Sequence, residues 1–246
     1  MITVRHASDR RHTEKTTHQV WKTFYSLNPA APSVDHFGAL QALNEERFPP
    51  GNGFPRRSHR DAEVITYVRE GTLNYEDSAG GAGVIHAGKF QRMTAGSGID
   101  RSEANGSKLE WAQVFQIWLH PNHVGLAPHV EREHFRGAQR RGGLRIVASQ
   151  DGRDESLRVH QDARIYSGVF PPGQRVVHEL AIGRTAWLHV VNGEILLGEA
   201  VFHTGDGIGL IAERAVAFTT QSAVEVLLID LGAPLPPPGG NGSAAS

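Results

Sequence analysis

Short runs of β-branched and aromatic residues, separated by glycine- and proline-rich breaks, set the pattern of this chain. Residues 2–5 (ITVR) predict a short strand, and a charged loop follows them. Residues 20–25 (VWKTFY) combine β-branched and aromatic side chains and predict a second strand. Residues 39–43 lead into a third, which the FPPGNG segment at 48–53 breaks. From Glu63 to Met93 the pattern is two strands, a glycine-rich turn at 79–83 and further strands. Residues 109–119 (LEWAQVFQIWL) alternate well enough to predict a long half-buried strand.

The theme then returns. Residues 187–196 (WLHVVNGEIL) parallel residues 65–73 around a shared strand–Gly–strand pattern. The AGKF segment at 87–90 has its counterpart in TGDG at 204–207, and residues 224–230 (VEVLLID) read as a closing strand. A repeat of roughly 120 residues is too long for a solenoid and suits tandem barrels. The linker is expected between Pro121 and Gly143, where prolines and charges cluster. Beyond Gly232 the chain becomes a low-complexity APLPPPGGNGSAAS tail without core residues, expected to be disordered.

Composition narrows the function classes. A chain of 246 residues with 39% hydrophobic residues, 28 glycines and 13 prolines fits a turn-rich β protein of one large or two small domains. The formal net charge of −1 gives no global field that would draw it to nucleic acid or an anionic membrane. There is no cysteine, which excludes disulfides, thiolate metal sites and cysteine nucleophiles. The first 30 residues hold no apolar core of signal-peptide length, and no stretch is apolar enough to span a bilayer. The cytoplasm is the expected location.

Two tripeptides carry the candidate chemistry: Arg57-Ser58-His59 and Arg101-Ser102-Glu103. On extended strands the outer members of each share a face, so Arg57, His59, Arg101 and Glu103 can converge in one pocket. Arginine stays protonated and offers no lone pair. One guanidinium pairs well with Glu103; the second, with His59, leaves positive charge that should attract a small anion. Against this, Asp61 and Glu63 at i+2 and i+4 from His59 would face the same side of a continuous strand and take up the remaining arginine. His86 in an inward orientation would rebuild a three-ligand site with His59 and Glu103. His120, His123, His129 and His134 fall in the linker and read as solvated surface histidines, while His178, His189 and His203 show neither an HxH nor an HxE pair. Ser58 and Ser102 should point away from the pocket, and no GxSxG elbow or P-loop is present.

These residues resemble the pirin family of bicupin proteins. The family's His-Pro-His-basic-Asp/Asn-x-Glu run stands here as residues 57–63 (RSHRDAE), followed by VITYV at 64–68 and Glu70-Gly71. A Glu76-Asp77-Ser78 hairpin and the block from Phe90 to Ile99 complete the likeness, which ends in Arg101-Ser102-Glu103 where the family has His-Ser-Glu. The resemblance runs from Met1 to about Gly232. It implies an all-β fold of two tandem cupin (jelly-roll-like) β-barrels: 1–125 with the site, 126–232, and the tail 233–246. In metal-loaded pirins two histidines of the first motif and the His and Glu of the second hold one divalent metal, usually iron. Only His59 and Glu103 keep those positions here. The expectation is therefore a monomeric protein without a cofactor that binds a small acidic or phenolic molecule through Arg57, His59, Arg101 and Glu103, or acts as a sensor. The first alternative is a quercetin 2,3-dioxygenase-like enzyme with Fe, Ni, Cu or Zn on His59 and Glu103 and with Glu103 as catalytic base. The second is a protein-interaction cofactor like animal pirin.

Overall fold

The computed structural model describes residues 1–25, 35–132 and 140–233. His134 and the tail beyond Ala233 lie outside them. In chain order the strands of the first half are β1 (Ile2–Arg5), β2 (Arg11–Lys15), β3 (His18–Lys22), β4 (Leu40–Phe48), β5 (Gly53–His59), β6 (Glu63–Glu70), β7 (Thr72–Asp77), β8 (Ala82–His86), β9 (Phe90–Thr94), β10 (Ile99–Asn105), β11 (Ala112–Leu119) and β12 (His129–Arg132). Those of the second are β13 (Arg145–Ser149), β14 (Leu157–Arg158), β15 (Ala163–Phe170), β16 (Arg175–Glu179), β17 (Thr185–Asn192), β18 (Glu194–Leu197), β19 (Ala200–His203), β20 (Gly207–Ile211), β21 (Ala215–Thr220) and β22 (Val224–Leu231). The strand expected over 109–119 starts only at Ala112. Ser107 Oγ accepts the backbone N–H groups of Leu109 and Glu110 and bends the chain there.

The fold is all-β, but the expected closed barrels are not what forms. Among the described residues the strands make four open sheets: a seven-stranded β12-β9-β6-β11-β4-β3-β2 over a four-stranded β5-β10-β7-β8, and a seven-stranded β1-β20-β17-β22-β15-β13-β14 over a four-stranded β16-β21-β18-β19. Each half is a cupin-type sandwich. In the first, closure would require the free edge of β5 to pair onward. Pro55 lacks the N–H for that, and the register of β5 against β10 slips between Arg57 and Phe54. The edge stays open, and the pocket described below lies beside it.

Two strands pair across the boundary expected near residue 125. β1 pairs antiparallel with β20 and so belongs to the second half's large sheet, with Val4 opposite Ile208. β12 pairs with β9 in the first half's large sheet.

The two large sheets pack back to back. Ile65, Tyr67, Phe115 and Ile117 from one and Ile165, Trp187, Leu227 and Ile229 from the other fall in one buried cluster. This is why β6, β11, β17 and β22 read as near-continuous apolar runs: they are covered on both faces. Buried polar links cross the seam. Arg140 NH1 donates to Tyr67 Oη at 3.0 Å, Ser167 Oγ at 2.9 Å and Glu225 Oε1 at 3.3 Å, and Tyr67 Oη donates to the same carboxylate. His160 Nδ1 meets the buried Glu63 Oε1 at 3.1 Å.

Candidate functional site

The inner face of the first large sheet is built in rows, because residues opposite each other on neighbouring strands point the same way. One row runs Val20, Glu46, Val114, Val68. The next runs Lys22, Asn44, Gln116, Thr66, Gln91. A third runs Ala42, Trp118, Val64, Met93. A polar belt thus crosses the sheet between two rows that are apolar apart from Glu46. The apolar rows join separate clusters, Phe48, Val68, Leu73, Tyr75, Ile85 and Val114 on one side and Ala62, Val64, Met93, Ala95 and Ile99 on the other.

The small sheet faces this belt with charge. Arg57 on β5, Arg101 on β10 and Asp77 on β7 form one rung, and Phe54, Glu103 and Tyr75 the next. The bulge in β5 keeps both Phe54 and Arg57 opposite inward residues, and the Arg57 guanidinium lies 3.7 Å from the Phe54 ring centroid. Two arginines on one rung repel, so their partners matter. Arg101 is buried, donates to Glu103 Oε1 at 2.8 Å and Gln91 Oε1 at 2.6 Å, and stacks over Tyr75 at 4.2 Å. Gln116 Nε2 donates to Glu103 Oε2 at 2.8 Å, while Arg57 NH2 stands 3.9 Å from that oxygen. His59, opposite Ile99, packs its ring against Trp118 with centroids 5.2 Å apart.

Arg57, Arg101 and Glu103 therefore meet, with His59 one rung away. The neutralising carboxylates expected from Asp61 and Glu63 do not join them. The chain turns at Asp61, whose φ is 46°, so β5 ends and β6 begins as a new strand. Asp61 Oδ1 accepts Gly125 N–H at 2.7 Å, and Glu63 faces His160. His86 is exposed on β8, at the far edge of the small sheet, and does not complete a three-ligand set. His120 contacts Gln41, His123 and His129 are exposed, and His134 lies outside the described residues. His178 pairs with Asp230 at 3.1 Å and His203 with Glu194 at 3.2 Å; His189 is buried at the seam beside Phe115. Ser58 Oγ donates to Asp100 Oδ1 at 2.5 Å and Ser102 Oγ leans to Glu76 O, both away from the pocket.

Beside the open edge of β5 lies a cavity of about 560 Å³, lined by Arg57, Gln116, Trp118, Phe54, Asn44 and Glu46 and, toward the β2–β3 hairpin, by Lys15, His18 and Lys22. Glu46, Asn44, Gln116 and Gln91 were not singled out from the sequence. A signal was present for Gln91 and Gln116, polar side chains inside strands buried almost throughout, where an unpaired polar group is costly; Asn44 and Glu46 lie on the more mixed β4.

Residues 4–119 match the Pirin family and residues 146–231 the quercetinase C-terminal cupin domain. The chain belongs to the pirin family. It is 37% identical over 231 residues to the quercetin 2,3-dioxygenase of Escherichia coli strain K12, spanning 94% of this chain and 99% of that protein. A pirin-like protein of Caulobacter vibrioides is 32% identical over 200 residues, 81% of this chain and 86% of that one. The crystal structure of the bacterial pirin YhhW from E. coli in complex with nickel(II) superposes with a TM-score of 0.87 at 36% identity, over 95% of this chain and all of that one.

For a pirin, the donor set here does not fit a divalent cation held in the family's way. Two of the four positions are guanidiniums, which carry charge and no lone pair. Both oxygens of Glu103 already accept hydrogen bonds, from Arg101 and from Gln116. Among the described residues no group of three His, Cys, Asp or Glu side chains comes together to hold a metal. The arginines and the burial also shift two titrating groups of the site. Burial, then Arg57, pull the His59 pKa below its ordinary value; Arg101 adds to this, while Glu103 and Asp100 oppose it. Burial, then the Glu103 charge, push the Glu46 carboxyl up to about 8, with Arg57 and Lys22 only partly offsetting them. Several buried atoms in this region, Arg57 Nε, Arg101 NH1, Glu46 Oε2 and Asn44 Oδ1, have no hydrogen-bond partner within the protein.

Proposed function

We propose that this member of the pirin family works without a metal and holds a small organic acid or phenol in the pocket of its first sandwich, as a binding or sensing protein. One observation carries the reading: both guanidiniums keep a buried N–H group that nothing in the protein accepts. Glu103 is shared by Arg101 and Arg57, Asp61 and Glu63 are engaged elsewhere, and Arg57 Nε and Arg101 NH1 are left with hydrogens to donate. A buried donor without an acceptor costs about 1–3 kcal/mol, which an anionic oxygen would recover. Phe54 and Trp118 supply apolar walls for the ligand's body.

The test is thermal unfolding with phosphate, dicarboxylates and phenolic acids at fixed ionic strength. A specific ligand at a hundredfold its Kd stabilises by about 2.7 kcal/mol. The shift should vanish in Arg57→Ala and Arg101→Ala. If no anion gives a shift that these substitutions remove, the pocket neutralises itself and the reading fails.

A second reading keeps the chemistry of the E. coli relative, a quercetin 2,3-dioxygenase, with Glu103 drawing the proton from a phenolic hydroxyl. The 37% identity across nearly the whole chain favours it; the two arginines disfavour it. A stoichiometric metal that co-purifies and depends on His59 would select this reading. As a complement, Arg57→His with Arg101→His should create Fe(II) or Ni(II) binding by anaerobic titration where the parent shows none.

A further inference from the structure

The mouth of the same pocket carries a second set of cations, which the candidate site above does not use. The hairpin β2–β3 forms the outer edge of the large sheet and sets Lys15 opposite His18. Lys22 ends the polar belt, opposite Asn44 on β4. Lys15, His18 and Lys22 all line the cavity together with Arg57. Both lysines are exposed, and neither has an ion-pair partner among the described residues. The cavity's one acidic lining residue is Glu46, which is only 2% exposed and has Oε2 unpaired. With its carboxyl held protonated to about pH 8, it does not cancel the lysines at neutral pH. Positive potential at the mouth also reaches His18: after burial, Lys15 and Arg57 draw its pKa down.

Between floor and mouth the walls are apolar: Phe54 and Pro55 on one side, Trp118, Ala42 and Val20 on the other. Cation, apolar slot, cation is a pattern with a definite complement.

We propose that the pocket selects a dianion with a flat apolar body, an aromatic dicarboxylate in the simplest case. One acid group sits at Arg57, the arginine that lines the cavity, and the second at the hairpin, within reach of Lys22 or of Lys15. This rests on the acid-binding reading above and adds the ligand class. The two lysines act as a specificity element: they reward a second charge placed across the ring and give nothing to a monoacid of the same body. Because they are exposed, their contribution is screened by salt more than that of the partly buried Arg57.

The experiment compares benzoate with benzene-1,4-dicarboxylate by isothermal titration calorimetry on the full chain. The proteins are the parent, Lys15→Gln with Lys22→Gln, and Arg57→Gln. In the parent the dicarboxylate should bind at least about tenfold more tightly at low ionic strength, and the ratio should shrink as salt rises. In the double lysine variant the ratio should collapse to within about threefold. Arg57→Gln should weaken both probes. Equal affinity of the two probes for the parent, or a ratio that the lysine substitutions leave intact, overturns the dianion proposal while acid binding stands. Failure of both probes to bind the parent overturns the dianion proposal, while the acid-binding reading stands or falls with the wider anion series above. The lysines are exposed and outside the core, so loss of fold is not expected; a circular dichroism melt verifies it.

Discussion

The two sandwiches solve the same packing problem with opposite middles. In the first, β6 lies between β9 and β11, and its inward rung reads Gln91, Thr66, Gln116. In the second, β17 lies between β20 and β22, and the matching rung reads Ile208, Leu188, Leu228. Around that apolar rung Phe170, Val176, Phe202, Val216 and Phe218 close into one cluster with it. Around the polar one the apolar side chains split into two clusters, with Arg101 and Glu103 filling the space between. A few residues on three strands therefore decide whether a cupin-type sandwich is a packed core or a pocket. The backbone tolerates both, since pairing and register are set elsewhere.

The comparison can be broken most severely at its charged centre. Glu103→Ala leaves the buried Arg101 guanidinium without its carboxylate and should cost about 3–5 kcal/mol in urea unfolding. Added small anions should return part of that loss. A cost under about 1 kcal/mol would mean that the carboxylate is not what holds the two guanidiniums together.

Exchanging the middles comes next. Leu188→Gln places an amide in the second sandwich's sealed core and should cost about 2–4 kcal/mol. The mirror change, Gln116→Leu, takes one donor from Glu103 and should cost only about 1–2 kcal/mol. Similar costs for the two would mean that the rungs are not energetically distinct.

Glu46 sharpens the difference through pH. Its unfolded carboxyl ionises near 4.5, while the folded one holds its proton to about 8. The folded state therefore binds more protons across that window, and stability declines as pH rises through it. Glu46→Gln should remove the decline and raise stability at pH 8 by about 2–4 kcal/mol. A curve unchanged by the substitution would place the titration in another group.

The seam between the sandwiches should respond in the other direction, and more weakly. His189 is wholly buried without a ring hydrogen bond, and burial, aided by Arg10, keeps its pKa well below the ordinary value. Its neutral form is intact above the unfolded pKa of about 6.5, and stability is lost as pH falls below that, by at most about 1.4 kcal/mol per pH unit for one proton. His189→Phe should flatten this acid limb.

Much of the fold was legible because alternation, glycine turns and the repeat are local signals. The strand expected over 109–119 failed at its start because a serine side chain, not periodicity, fixes where β11 begins. Barrel closure was misjudged because strand count says nothing about edges; Pro55 and the register slip decide that. Within the site, the i, i+2 spacing foretold that Arg101 and Glu103 share a face. It could not foretell the turn at Asp61, which depends on one positive φ, nor which sheet faces the small one. Glu46 and Gln116 needed the register to be seen as neighbours of the arginines.

The strand β1 has a consequence for how the molecule comes into being. Its partner β20 is made about 200 residues later, roughly 10–40 s at ordinary rates of synthesis. Over that interval the first sandwich can complete its own sheets, whereas β1 has to remain unpaired beside it. The second sandwich gains an edge strand from a segment made before the first sandwich, so its large sheet is completed only once β20 can take that segment up.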